Sequence, residues 1–227
     1  MITSDLAING GKPVRESMLP YGRHFLDDHD LDSVLEVLKS DWLTTGPKVR
    51  EFENALCLRT DAKYAVAMSS GTAALHSAMY ALNVTPGDEV IVPAMTFAAT
   101  ANCVLYQGGT PVFSDVRRET LLINTESMES LITPRTKAVI AVDYAGQPCD
   151  YDVLRDICDK YGLILVADSC HSLGGAYKGR AVGSVADINA FSFHPVKHVA
   201  AGEGGAITTD NESIYNRIRA FRNHGIQ

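Results

Sequence analysis

Little in this 227-residue chain points to a membrane, a nucleic acid or an oxidising compartment. It has no run of about 18 apolar residues, the length a helix needs to cross a bilayer. It has no Lys/Arg block either. Its 20 basic residues stand against 27 acidic ones for a net charge of -7, which disfavours an extended nucleic-acid surface. The five cysteines (Cys57, Cys103, Cys149, Cys158 and Cys170) form no C-x-x-C pair. Their odd number argues against a complete disulfide framework and suggests reduced thiols in a cytoplasmic protein. The opening Met1-Ile2-Thr3-Ser4-Asp5 lacks a basic segment followed by an apolar one, so no signal peptide is read there. No G-x-G-x-x-G follows the first expected strand, which argues against a nicotinamide-dependent oxidoreductase. Internal repeats and low-complexity segments are lacking too. What is there is an ordinary soluble composition, 46% hydrophobic and 21% charged, long enough for one large domain or two small ones.

From Lys63 onward, short apolar runs alternate with longer helical patterns. Strands are expected over 64–68, 89–92, 111–113, 138–142 and 163–167, and helices over 72–82, 97–106 and 151–161. Continuous apolar strands separated by helices predict an α/β fold, a mainly parallel sheet with helices on both faces. The first 60 residues read differently. Helical spacing over 30–38 and 49–58 flanks a linker that holds Gly46-Pro47 and the single tryptophan, Trp42. A last helix is expected over 214–222, after which the chain stops without a terminal element, as an N-terminal part of a longer protein would.

Four local features could carry chemistry. Ser69-Ser70-Gly71-Thr72 lies between a strand and a helix. Free N–H groups there, with Gly71 allowing close approach, suit an anion such as a phosphate; a plain N-cap by Ser70 or Thr72 is the alternative. Asp168 follows an apolar strand at the carboxyl edge where open α/β sheets bind ligands, or else caps or salt-bridges. Lys197, between Phe191-Ser192-Phe193 and Gly202-Glu203-Gly204-Gly205, is placed to act as a shielded Schiff-base nucleophile, or is a solvated surface charge. Phe97 could stack on an aromatic cofactor or pack in the core. Together, the anion loop, the aromatic, the acid after a strand and the lysine before a Gly-rich turn match what pyridoxal phosphate requires. An acid beside the pyridine nitrogen keeps it protonated and electron-withdrawing.

In this order the motifs resemble the DegT/DnrJ/EryC1/StrS family of pyridoxal-phosphate-dependent sugar aminotransferases, over residue 6 to the end. The resemblance implies the large domain of a fold-type-I transferase over 61–227, preceded by a helical segment over 1–60 that contributes to the substrate site, with the smaller C-terminal domain missing. It implies Lys197 as the catalytic residue and covalent cofactor anchor, Asp168 against the ring nitrogen and His171 near the ring hydroxyl. Gly71, Thr72 and Ser192 would hold the phosphate, and Phe97 would cover the ring. Tyr21, Asp41, Trp42, Leu43 and Thr44 match the part that contacts a sugar nucleotide. No metal is expected. Pro20-Tyr21-Gly22-Arg23, the 43–49 segment and Val142-Asp143-Tyr144-Ala145-Gly146 are most similar to members that aminate a UDP-linked 4-keto-sugar, with glutamate as donor, in pseudaminic-acid biosynthesis. A homodimer is implied for the full-length protein. Three alternatives stay open: another dTDP-, UDP- or GDP-keto-sugar, a cofactor-binding module without activity, and a related dehydratase. The last is disfavoured because those relatives carry His where Lys197 stands.

Overall fold

The computed structural model describes residues 5–20 and 22–226. Helices α1 (Asp28–Lys39) and α2 (Pro47–Thr60) lead into the sheet. Then follow β1 (Tyr64–Met68), α3 (Gly71–Ala81), β2 (Glu89–Pro93), α4 (Ala98–Tyr106), β3 (Thr110–Ser114), α5 (Thr125–Ser130) and β4 (Thr136–Val142). The remainder is α6 (Tyr151–Tyr161), β5 (Ile164–Asp168), a small hairpin of β6 (Ala176–Tyr177) and β7 (Arg180–Ala181), β8 (Ile188–Ser192), β9 (Gly205–Thr209) and α7 (Glu212–Arg222).

The main sheet has the order β1-β9-β8-β5-β4-β2-β3. Strands β3, β2, β4, β5 and β8 pair in parallel, while β9 runs antiparallel to both β8 and β1. Side chains alternate between the faces, so each inner strand feeds two cores. On β4, Ala138 and Ile140 join Leu75 and Met79 of α3 and Ile218 of α7. Val139 and Ala141 point the other way, against Tyr151 and Leu154 of α6 and Met128 of α5. Burial of a side chain such as Ile140, which is 0% exposed, is worth about 1.5–3 kcal/mol, and cutting it to Ala would cost about 2–5 kcal/mol.

Helix α2 sits on the sheet near β1 and β9. Leu56 is buried with Phe191 and Phe193, and Phe52 meets Phe193 edge-on at 5.2 Å. Helix α1 starts in a reciprocal cap, with Asp27 accepting from the N–H of Asp30 and Asp30 accepting from that of Asp27. It buries no residue, leaving Leu31, Val34, Leu35 and Leu38 about half exposed.

The expected strands and helices are present with small shifts at their ends. Strand β5 includes Asp168 as its last residue, and α3 begins at Gly71. The hairpin, α5 and the antiparallel insertion of β9 are additions to the sequence reading. Strand β9 matters for the site because Gly205 pairs with Met68 on one side and Ser192 on the other. A Cβ on Gly205 would lie 2.2 Å from the Ser70 carbonyl oxygen and 2.6 Å from the Gly71 nitrogen. The bare Cα lets the loop entering α3 lie directly on the sheet.

Candidate active site

A cleft of about 560 Å³ opens over the carboxyl ends of the parallel strands, a volume in the usual range for small-molecule sites. Its lining includes Gly71, Thr72, Phe97, Asp168, His171, Ser192 and Lys197, all seven residues expected to hold the cofactor. They come from five separate stretches of chain, which the sheet order brings together: the β1–α3 turn, the β2–α4 turn, the end of β5, the end of β8 and the loop before β9.

At the α3 end, Ser70 caps the helix by accepting from the N–H of Ala73 at 3.1 Å. The capping reading of this motif therefore holds for Ser70. It leaves the amides of Gly71 and Thr72, the first two helical positions, without a carbonyl partner in the helix. A Cβ on Gly71 would lie 2.8 Å from Ser192 Cβ and 3.2 Å from Cys170 Sγ, so this backbone packs against the end of β8 with no room to spare. Backbone amides, the Thr72 hydroxyl and the Ser192 hydroxyl thus converge on one wall of the cleft, which the positive end of the α3 dipole favours for an anion.

Asp168 is buried at the foot of the cleft, 5% exposed. Its Oδ2 accepts from the Thr100 hydroxyl at 2.7 Å and its Oδ1 from the Cys170 amide at 3.3 Å. Among the described residues it forms no ion pair, which removes the salt-bridge alternative. Phe97 is 74% exposed at the start of α4, so its ring stands over the cleft and the core-packing alternative fails. Lys197 is half-buried in a turn closed by its own N–H donating to the His194 carbonyl at 2.8 Å.

Burial pushes the His171 imidazole below the usual histidine range, and the charges of Lys197 and His198 add to this while Asp168 opposes it. Cys170 is driven well above the ordinary thiol range, first by burial and then by Asp168, so it stays a protonated, unreactive thiol.

The sequence reading gave Asp143 only as part of a motif and missed its structural role; it follows β4 as Asp168 ends β5. It is fully buried and accepts from the Cys149 amide (2.9 Å), the Tyr151 hydroxyl (2.7 Å) and the hydroxyls of Ser169 (3.1 Å) and Ser172 (2.6 Å). Burial raises its pKa against these four bonds. The network ties the turn that carries Cys170 and His171 to the neighbouring strand end. An apolar strand ending in Asp was the available signal. Tyr144, Thr96, His194 and Glu203 also line the cleft.

The expected sugar contacts are not gathered into this cleft. Trp42, Leu43 and Thr44 line a separate hollow of about 370 Å³ between α1 and α2, and Asp41 is exposed beside it. Tyr21 lies outside the described residues.

An α/β sheet with an uncapped pair of amides at a helix start, a buried acid and a half-buried lysine around one cleft is the architecture of a cofactor-dependent transferase. The chain belongs to the DegT/DnrJ/EryC1/StrS aminotransferase family, whose profile matches residues 25–227. It is similar to the uncharacterized protein MJ1066 of Methanocaldococcus jannaschii, 44% identical over 213 residues, which are 94% of this chain and 55% of that one. Among solved structures it is similar to DesI in the presence of its TDP-sugar product (TM-score 0.92, 40% identity, 99% of this chain and 57% of that one). It is also similar to Spr1654 of Streptococcus pneumoniae in its PLP form (0.88, 36%, 91% and 58%). A further match is PseC of Helicobacter pylori, an aminotransferase involved in pseudaminic-acid biosynthesis (0.87, 36%, 92% and 56%). The chain thus spans a little over half the length of these relatives. Among the described residues, no helix is long and apolar enough to cross a membrane.

Proposed function

We propose that this chain provides the pyridoxal-phosphate-binding part of a sugar-nucleotide aminotransferase. The observation that carries this reading is the convergence of Lys197, Asp168 and the Gly71–Ser192 wall on one cleft. The residues fit the cofactor: uncommitted amides and two hydroxyls suit its phosphate, an acceptor-only carboxylate suits a protonated ring nitrogen, and an exposed phenyl ring suits its face. When bound, the cofactor supplies an electron sink at the carbon that carries the amino group.

The chain's own groups do the rest. Lys197 Nζ would hold the cofactor covalently and would serve as the base and acid that moves a proton at the reacting carbon. Asp168 holds the proton on the ring nitrogen. Gly71, Thr72 and Ser192 would anchor the phosphate and so position the cofactor against Lys197. Neutral His171 can donate from one ring nitrogen toward the ring hydroxyl.

Glutamate is the donor in this reading, and the acceptor is a nucleotide-linked 4-keto-6-deoxy sugar. The likeness to PseC and the motifs around Tyr21, 43–49 and Asp143 support a UDP-linked acceptor of the pseudaminic-acid pathway. The likeness to DesI favours a dTDP-linked one as the second reading. Asp41, Trp42, Leu43 and Thr44 lie outside this copy's cleft and are read as reaching the substrate site of the neighbouring copy in a cytoplasmic homodimer of the full-length protein. The test is mass spectrometry of products formed by the natural full-length protein from a panel of UDP- and dTDP-keto-sugars with glutamate, alongside a visible absorption scan. An aminated UDP-sugar is the expected product. No visible band and no aminated product from any sugar would overturn the reading.

A further inference from the structure

Helix α4 begins without a side-chain cap: Phe97 occupies the N-cap position and offers no acceptor. Two hydroxyls stand ready to fill that role, Thr96 just before the helix and Thr100 in its first turn. Neither does so. Thr96 Oγ1 and Thr100 Oγ1 are 2.7 Å apart, and Thr100 Oγ1 lies 2.7 Å from Asp168 Oδ2, 68 residues along the chain. A threonine inside a helix ordinarily turns its hydroxyl back to a carbonyl one turn earlier. Here the hydroxyl leaves its helix for a carboxylate on another element, and a local preference given up in this way marks a functional constraint.

The direction of the chain follows from donor counting. A hydroxyl has one proton. The Thr100 proton goes to the carboxylate, so the Thr100 oxygen must accept from Thr96, and the sequence of donation is Thr96 to Thr100 to Asp168. Thr100 is fully buried, whereas Thr96 reaches the cleft wall. Asp168 Oδ1 is held separately by the Cys170 amide. Each carboxylate oxygen therefore has one fixed donor, and two such donors on opposite oxygens lock the plane of the group. The remaining lone pairs are left for the cleft.

We propose that Thr100 is a positioning residue for Asp168, with Thr96 orienting the Thr100 hydroxyl in turn. This rests on the reading of Asp168 as the partner of the cofactor's ring nitrogen. Without the Thr100 hydroxyl the carboxylate is free to swing about its terminal bond, and the bound cofactor loses both affinity and a unique orientation.

The experiment uses the natural full-length protein and its Thr100→Val, Thr100→Ser and Thr96→Val variants. Pyridoxal phosphate is titrated into each apoprotein, and affinity and the visible circular dichroism of the bound cofactor are read. Thr100→Val keeps the shape and removes the hydroxyl. It is expected to weaken binding roughly ten-fold, the effect of one charge-assisted hydrogen bond, and to change the dichroism. Thr100→Ser restores both, and Thr96→Val falls between. Wild-type affinity and dichroism in Thr100→Val would overturn the proposal alone, as would equal impairment in the Val and Ser variants. If Thr100→Val does not fold, unchanged binding and dichroism in Thr96→Val overturns the hydroxyl chain. A wild-type protein that takes up no cofactor overturns the functional reading and this proposal together.

Discussion

Substituting Gly205 by Ala isolates a single steric contact that governs the α3 end of the cleft. Gly205 is buried and is not among the positive-φ glycines, so alanine suits its backbone and only the added methyl matters. That methyl would stand 2.2 Å from the Ser70 carbonyl oxygen and 2.6 Å from the Gly71 nitrogen, where ordinary contact begins at 3.4 Å. Both obstacles are main chain, so the loop into α3 and strand β9 must part by about 1 Å. Overpacking of this kind costs about 1–3 kcal/mol. In a protein of this size each kcal/mol lowers Tm by about 2–4 °C, so a fall of roughly 2–12 °C is expected. The displaced segment contains the Gly71 and Thr72 amides. If about half of that cost falls on the anion site, pyridoxal-phosphate affinity drops roughly two- to ten-fold, since 1.4 kcal/mol is a factor of ten. Differential scanning calorimetry of the apoprotein and a fluorescence titration with the cofactor measure the two effects. A Gly205→Ala variant with wild-type Tm and wild-type affinity would refute the claim that this backbone contact builds the site.

Other outcomes follow from the same geometry. Asp168→Asn is expected to retain part of the cofactor affinity while turnover in the full-length protein falls roughly a hundred- to a thousand-fold; near-normal kcat would return Asp168 to a capping role. His171 is held below the usual histidine pKa by burial first and then by Lys197, so the unfolded chain takes up its proton more readily than the native one. Stability should therefore decline as pH falls from about 6.5 toward the folded value and recover above it. His171→Gln should flatten part of that slope, leaving the share from His76, which burial shifts the same way; an unchanged slope in urea-unfolding curves would contradict the assignment. Because this chain spans a little over half the length of its relatives, residues 1–227 alone are expected to bind cofactor weakly and to aminate no sugar, an open cleft leaving its reacting groups to water. Equal specific activity of this segment and the natural full-length protein would show that residues 1–227 suffice.

The parallel core was legible because its strands are nearly pure apolar runs, as in Ala138-Val139-Ile140-Ala141-Val142, bounded by turn residues. Strand β9 was not, since Gly205-Ala206-Ile207-Thr208-Thr209 lacks that signature and its insertion between β1 and β8 is a long-range pairing. That the residues expected to hold the cofactor gather in one cleft has a positional reason. Each lies at the carboxyl end of a strand or in the turn beyond it, and the sheet order carries all such positions to one edge. Thr100 could not be recognised in the same way, because its meaning comes from a partner 68 residues distant. The Asp41–Thr44 segment resisted for another reason: motif likeness located it, yet nothing in its local pattern says which cleft it faces.

The most direct test of the central claim is the site of covalent attachment. The protein is incubated with pyridoxal phosphate, reduced with borohydride, digested and mapped by mass spectrometry. The pyridoxyl group is expected on Lys197, in the peptide that contains Ser192-Phe193-His194-Pro195-Val196, and it should vanish in Lys197→Ala. A stoichiometric adduct on Lys178 or Lys160, both paired with carboxylates outside the cleft, would contradict the account.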